Sequence, residues 1–217
     1  MENYLKEKNE VIQAGKAMLN EGYTVGTWGN ISVRSDDGKY MIITPSGVDY
    51  EIITPEIMSV VDMEGNLVSG KTPSIETGLH LAIYKNRPEI NAIMHSHSIY
   101  TCAIAATREE VPPVLDELAQ IVGGGIKVAE YGLPGSKELA ENCVKALEDR
   151  MAVLLANHGG VCVGRNIKEA YKITKVVEVS LQSYCLAKSI GCPVALSKEQ
   201  VDFMRNFFLN AYGKQNK

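Results

Sequence analysis

Ile31-Ser-Val-Arg-Ser-Asp-Asp-Gly-Lys-Tyr-Met-Ile-Ile43 is the stretch on which the fold turns. Residues 31–34 and 40–43 are short runs suited to strands, and Asp36-Asp-Gly38 between them is a turn signal, so the segment reads as a β-hairpin. Thr44-Pro-Ser-Gly47 then turns the chain again. Val60-Val-Asp62 and Leu67-Val68 flank Glu64-Gly-Asn66 as a second hairpin. Two hairpins this early fit poorly with a strictly alternating parallel α/β chain.

Working outward, Tyr4, Leu5, Lys8, Val11, Ile12, Gly15, Met18 and Leu19 recur at helical spacing and predict a first helix stopping near Gly22. Another helix is predicted from near Pro73-Ser74 to about Asn86, with Leu79, Ala82 and Ile83 inward. Short helices or strands follow over 91–97, 99–106, 135–149, 151–156 and 161–163. Two helices close the chain. The first carries the stripe Ile167, Ala170, Tyr171, Thr174, Val177, Leu181 and Tyr184; the second runs from Ser197 to about Asn210. Helices before, between and after hairpins predict a mixed or antiparallel sheet with helices packed on it. No repeat or linker divides the 217 residues, a length that one core can fill, so residues 1–217 are expected to form one domain.

The formal charge of −4 argues against nucleic acid as a partner, since a basic face would supply most of that affinity. The five cysteines form an odd set without C-x-x-C spacing, which supports neither a disulfide framework nor a cysteine metal site. They read as reduced, mostly buried thiols. The first residues, Met-Glu-Asn-Tyr-Leu-Lys-Glu-Lys, lack the apolar core of a signal peptide, and no apolar stretch approaches a membrane span. A cytoplasmic protein with no membrane partner is expected.

Three of the four histidines fall at the ends of two apolar runs: His95 and His97 in Asn91-Ala-Ile-Met-His-Ser-His, and His158 after Met151-Ala-Val-Leu-Leu-Ala. On an extended strand, positions i and i+2 share a face, so His95 and His97 can grip one ion, with His158 arriving from a neighbouring strand end. Imidazole-only ligation with an open position suits catalytic zinc, although cobalt or manganese could occupy it. Such an ion is a Lewis acid that polarises a carbonyl or holds an enediolate. His80, inside the predicted helix, reads instead as a packed or hydrogen-bonded residue.

Glu76 in Lys71-Thr-Pro-Ser-Ile-Glu-Thr-Gly78 admits two readings. In one it is an acid favoured in the first turn of a helix by the dipole and by capping. In the other it is the base that a Lewis acid needs beside it to remove a carbon-bound proton. Gly26-Thr-Trp-Gly-Asn30, Thr44-Pro-Ser-Gly47 and Pro73-Ser74 are small-residue turns able to bind phosphate through N–H groups and hydroxyls, or ordinary turns. Gly123-Gly-Gly125 lacks the strand–helix context of a nucleotide site and reads as a loop.

In order along the chain stand G-T-W-G-N-I-S, T-P-S-G, P-S-x-E, H-S-H-S, A-N-H-G and a final Tyr212-Gly213. Together they resemble the class II, zinc-dependent aldolase and adducin family of sugar-phosphate aldolases and epimerases. The resemblance implies an α/β fold, a three-layer α/β/α arrangement around a central, mostly antiparallel mixed sheet. It implies a metal-dependent carbon–carbon lyase that cleaves a ketose 1-phosphate to dihydroxyacetone phosphate and an aldehyde. It also implies a homotetramer with active sites between subunits and a sugar phosphate as substrate. On this chain the family's zinc histidines fall on His95, His97 and His158, and its base on Glu76. Phosphate contacts fall on Thr27, Asn30, Ser46, Gly47 and Ser74, and a proton-donating tyrosine from a neighbouring subunit on Tyr212. Two positions depart from the aldolase pattern: Ile75 stands where a second serine is usual, and Asp116 falls near a second tyrosine. Glutamate at 76 and an amide at Gln120 favour aldol chemistry over epimerisation. Epimerase, decarboxylase and dehydratase activities share the same metal-stabilised enediolate, and an adducin-like structural module is the non-catalytic alternative, against which the three histidines argue.

Overall fold

Alternation along the strands sorts the core into two layers. The computed structural model describes residues 4–212. Its elements are α1 (Leu5–Asn20), β1 (Asn30–Arg34), β2 (Tyr40–Ile43), β3 (Ser59–Asp62), β4 (Leu67–Ser69), α2 (Thr77–Asn86), β5 (Ala92–Ser96), α3 (Ile99–Thr107), β6 (Val128–Ala129), α4 (Lys137–Leu147), β7 (Ala152–Leu155), β8 (Gly159–Gly164), α5 (Ile167–Ile190) and α6 (Lys198–Asn210). The strands form one sheet in the order β4-β3-β2-β1-β5-β8-β7-β6. Every adjacent pair is antiparallel except β6 with β7, which is parallel.

On one face Ile31, Val33, Ile42, Val60, Ala92 and Met94 join a cluster with Val11, Ile12 and Met18 of α1 and Ile167 and Ala170 of α5. On the other, Met41, Ile43, Val61 and Ile93 cluster with Leu79, Leu81, Ile83 and Tyr84 of α2 and with Leu139, Cys143 and Leu147 of α4. Period-two patterning thus places helices on both sides of the sheet, which is the three-layer α/β/α arrangement expected. Among the described residues no helix is long and apolar enough to cross a membrane. All five cysteines are free thiols; Cys143 and Cys162 are buried, Cys102 and Cys185 half-buried, and Cys192 is exposed.

Several expected boundaries move. The helix foreseen from Pro73-Ser74 starts only at Thr77. Pro73 instead bridges Pro45, and the Ser74 N–H donates to the Thr44 carbonyl at 3.1 Å, so the segment stays extended against its neighbour. Glu76 therefore sits at the N-cap, not inside the first turn, and its carboxylate makes no capping hydrogen bond. The helix foreseen over 135–149 is shorter, beginning at Lys137 where the Ser136 side chain caps the Leu139 N–H. β6, two residues long, and a π-helical turn at Leu118–Val122 had no readable pattern, being too short for periodicity.

Candidate metal centre

β1 carries Asn30 and Ser32 on the face toward α2, between the apolar Ile31 and Val33 that point the other way. β5 carries His95 toward the same face, directly opposite Asn30 in the β1–β5 register. β5 ends at Ser96, so His97 lies one residue beyond the strand, tied down by its N–H to the Tyr23 carbonyl at 2.9 Å. His158 lies in the turn from β7 to β8, where Asn157 adopts a left-handed conformation that asparagine tolerates. The α2 N-terminus brings Glu76 into the middle of these elements.

The three imidazoles converge. Their ring centroids lie 4.7, 4.8 and 4.9 Å apart, and one ligand atom from each lies within 4.8 Å of the others. His95 Nδ1 is 3.0 Å from the Gly160 carbonyl, which can only accept, so the ring carries its proton there and turns the Nε2 lone pair inward. That is the tautomer a metal requires. His97 Nε2 sits 2.9 Å from His95 Nε2. Burial lowers the pKa of His97 to about 3 and of His158 to about 4, keeping both rings neutral and available as ligands. Three imidazoles converging on one point form a nitrogen donor set that fits a divalent metal.

Glu76 is 4% exposed. Its Oε2 accepts from Asn30 Nδ2 at 2.7 Å and lies 3.2 Å from His95 Nε2. Its Oε1 lies 3.7 Å from His158 Nε2 and is buried without a hydrogen-bond partner. Burial opposes ionisation, but His95, the Asn30 amide, His158 and His80 outweigh it and hold the carboxyl below its usual range. The result is an ionised carboxylate, anchored by one oxygen, with the other free beside the imidazoles.

A cleft of about 570 Å³ opens onto Glu76, His97 and His158, with His95 fully buried behind them. Thr27, Asn30, Ser46, Gly47 and Ser74 all line it. The segments carrying Ser46, Gly47 and Ser74 are joined, since the Ser46 N–H donates to Thr72 O and the Ser74 N–H to Thr44 O. Tyr212 does not line this cleft; it stands 59% exposed and stacks on Phe208 at 5.7 Å. Gly213, its partner in the expected pair, lies outside the described residues. Asp116 is exposed and, like Gln120, lines no part of the cleft. Trp28, Pro45, Asn157 and Pro134 are lining residues that the sequence reading did not single out. Trp28 stood inside a quoted motif, whereas nothing near Pro134 signals a site. His80 is fully buried and hydrogen-bonded, as expected for a packed histidine.

An eight-stranded mixed sheet flanked by helices thus carries three convergent histidines and a buried carboxylate suited to hold a metal beside a general base. Residues 9–185 match the family model described as Class II Aldolase and Adducin N-terminal domain, and the chain belongs to that family. It is 36% identical over 97% of its length to a 5-deoxy-D-ribulose 1-phosphate aldolase of Bacillus thuringiensis serovar kurstaki, of which 98% is covered. It is 38% identical to a 3-oxo-tetronate 4-phosphate decarboxylase of Haemophilus influenzae, covering 80% of this chain and 84% of that one. A solved structure of an L-fuculose 1-phosphate aldolase superposes with a TM-score of 0.91 at 41% identity, covering 94% of this chain and 96% of the other. Sequence and fold together make the chain a lyase of the class II aldolase type with a three-histidine metal-binding cluster.

Proposed function

We propose that the protein is a zinc-dependent aldolase that reversibly cleaves a ketose 1-phosphate, resembling L-fuculose 1-phosphate, to dihydroxyacetone phosphate and an aldehyde. The observation that carries this reading is the free, buried Oε1 of an ionised Glu76 beside three convergent imidazoles. His95, His97 and His158 would hold zinc, with cobalt or manganese as substitutes. When bound, the ion supplies Lewis acidity that offsets the negative charge growing on the substrate oxygens. The phosphate is taken by Thr27, Asn30, Ser46, Gly47 and Ser74, where backbone N–H groups and hydroxyls of these segments meet the cleft. Glu76 Oε1 then removes or returns the proton at the donor carbon, while Asn30 keeps Oε2 occupied. Tyr212, solvent-facing on its own chain, serves a neighbouring subunit as proton donor to the aldehyde oxygen. A cytoplasmic, single-domain homotetramer built from residues 1–217 completes the reading.

The decarboxylase relative favours a second reading, loss of carbon dioxide from a sugar-acid phosphate on the same metal site. Incubating the purified protein with dihydroxyacetone phosphate and a panel of aldehydes, and separately with 3-oxo-tetronate 4-phosphate, distinguishes the two. A ketose 1-phosphate should form, disappear with a chelator and return with zinc. Product formation indifferent to the chelator, or decarboxylation alone, overturns the aldolase reading.

A further inference from the structure

Five buried side chains form one hydrogen-bonded line running from the metal centre into the α2 layer. Glu76 Oε2 meets Asn30 Nδ2 at 2.7 Å; Asn30 Oδ1 meets His80 Nε2 at 2.6 Å. His80 Nδ1 meets Ser32 Oγ at 2.6 Å, and Ser32 Oγ meets the Tyr84 hydroxyl at 2.8 Å. We propose that His80 is a positioning residue for the reaction, a neutral imidazole that donates from Nε2 to Asn30 Oδ1, braces the amide in the orientation that donates to Glu76, and thereby helps hold Glu76 with Oε1 toward the cleft. This rests on the reading that Glu76 moves the substrate proton.

The direction of every bond follows from the placement of the Asn30 amide. Its NH₂ donates to Glu76 Oε2, and its carbonyl oxygen, which only accepts, faces His80 Nε2. His80 must then donate from Nε2, which leaves Nδ1 as an acceptor for the Ser32 hydroxyl. Ser32 in turn accepts from Tyr84. With the opposite tautomer, the Asn30 oxygen would face a lone pair, and flipping the amide to escape would set that oxygen against the carboxylate. Both are costly where water is excluded. The line joins a strand to a helix: Asn30 and Ser32 share one face of β1, His80 and Tyr84 lie one turn apart on α2, and Glu76 stands at the N-cap position of that helix. An apolar residue at 80 would fill the same space without a polar network. The histidine is therefore explained by what its two nitrogens do. Asn30 also lines the cleft, so a single amide joins the cleft wall, the carboxylate and His80.

The test compares His80→Phe, which removes both nitrogens, with His80→Gln, whose amide can still donate to Asn30. Zinc content, melting temperature, kcat and KM are measured for each. His80→Phe should retain zinc and lose about 10–100-fold in kcat, with KM changed by less than about twofold. His80→Gln should recover most of the loss. In ¹⁵N-histidine NMR of the zinc-loaded wild type, His80 should show a protonated Nε2 and an unprotonated Nδ1 near neutral pH. Unchanged kcat in His80→Phe, loss of kcat only in step with zinc, or an Nδ1–H tautomer overturns the proposal. Should the wild type lack aldolase activity, the functional reading fails by itself, and the tautomer measured on that same protein still decides the role of His80.

Discussion

Glu76 is anchored through one carboxylate oxygen by Asn30 and leaves the other buried without a donor, so a proton can be accepted at a defined position. Replacing that charge while keeping the shape isolates its role. Glu76→Gln should lower turnover by ~10²–10⁴-fold, the usual range for one acid–base group, while atomic absorption finds the metal still bound. Turnover near the wild-type rate would remove Glu76 from the chemistry. His80 makes a second residue-scale prediction. Burial lowers its pKa from 6.5 to about 3 in the fold, so between those values the unfolded chain takes up a proton that the folded chain refuses. Stability contributed by the neutral ring is complete above the unfolded value and is lost as pH falls toward the folded one. His97 and His158, lowered for the same reason, act in the same direction in metal-free protein. The urea midpoint of the metal-free protein should fall steadily as pH is lowered from about 6.5 toward about 4. His80→Gln should flatten that slope; a midpoint independent of pH would contradict it.

At the scale of elements, the centre depends on strands approaching more closely than side chains permit. A Cβ on Gly159 would come 2.4 Å from the Ser96 carbonyl oxygen and 3.3 Å from the His95 ring. A Cβ on Gly29, whose φ is +71°, would come 2.5 Å from the His95 carbonyl oxygen. Gly159 opens β8 and Gly29 immediately precedes β1, so a glycine lets the backbone approach the H-x-H segment from each side. Gly159→Ala should force β8 away from β5, costing about 1–3 kcal/mol of stability as overpacking does, and weaken metal binding in a chelator competition. Normal metal affinity with a normal melting curve would show that the strands can yield. Helix α3 is held by α5 in a related way. Glu178 accepts from the Tyr100 and Thr101 N–H groups and from the Ser98 and Thr101 hydroxyls, satisfying the α3 N-terminus immediately after His97.

Across the whole molecule, the last helix is poorly covered by its own chain. Val201 is the one buried residue among those described in α6, while Phe203, Phe207 and Leu209 are exposed, with Ile190 and Val194 exposed just before it. An apolar surface of this kind is commonly covered by a partner, and Tyr212 lies at its end. In the homotetramer proposed above, a neighbouring chain covers that face. Light scattering should return the mass of four chains, and Phe203→Asp should reduce both the assembled mass and the aldolase rate. A monomer with full activity would dissociate Tyr212 from the reaction.

Much of the architecture was written in local pattern. The 31–43 hairpin, the stripe on α5 and the Ser197 start of α6 appear where periodicity and turn chemistry put them, because those signals act over a few residues. The three histidines were legible because each follows an apolar run, but strand alternation placed only His95; His97 lies past β5, held by the Tyr23 carbonyl, and His158 in the turn before β8. Glu76 was half legible; its residue type was informative, but its place at the cap depended on Pro45 and Thr44, some thirty residues earlier, holding residues 73 and 74 extended. The line from Glu76 to Tyr84 could not be read at all. Ser32 and His80 stand 48 positions apart, and only the register of β1 against β5 and the seat of α2 on the sheet bring donor to acceptor. Hydrogen bonds need placement within tenths of an ångström, and that precision comes from packing between distant segments.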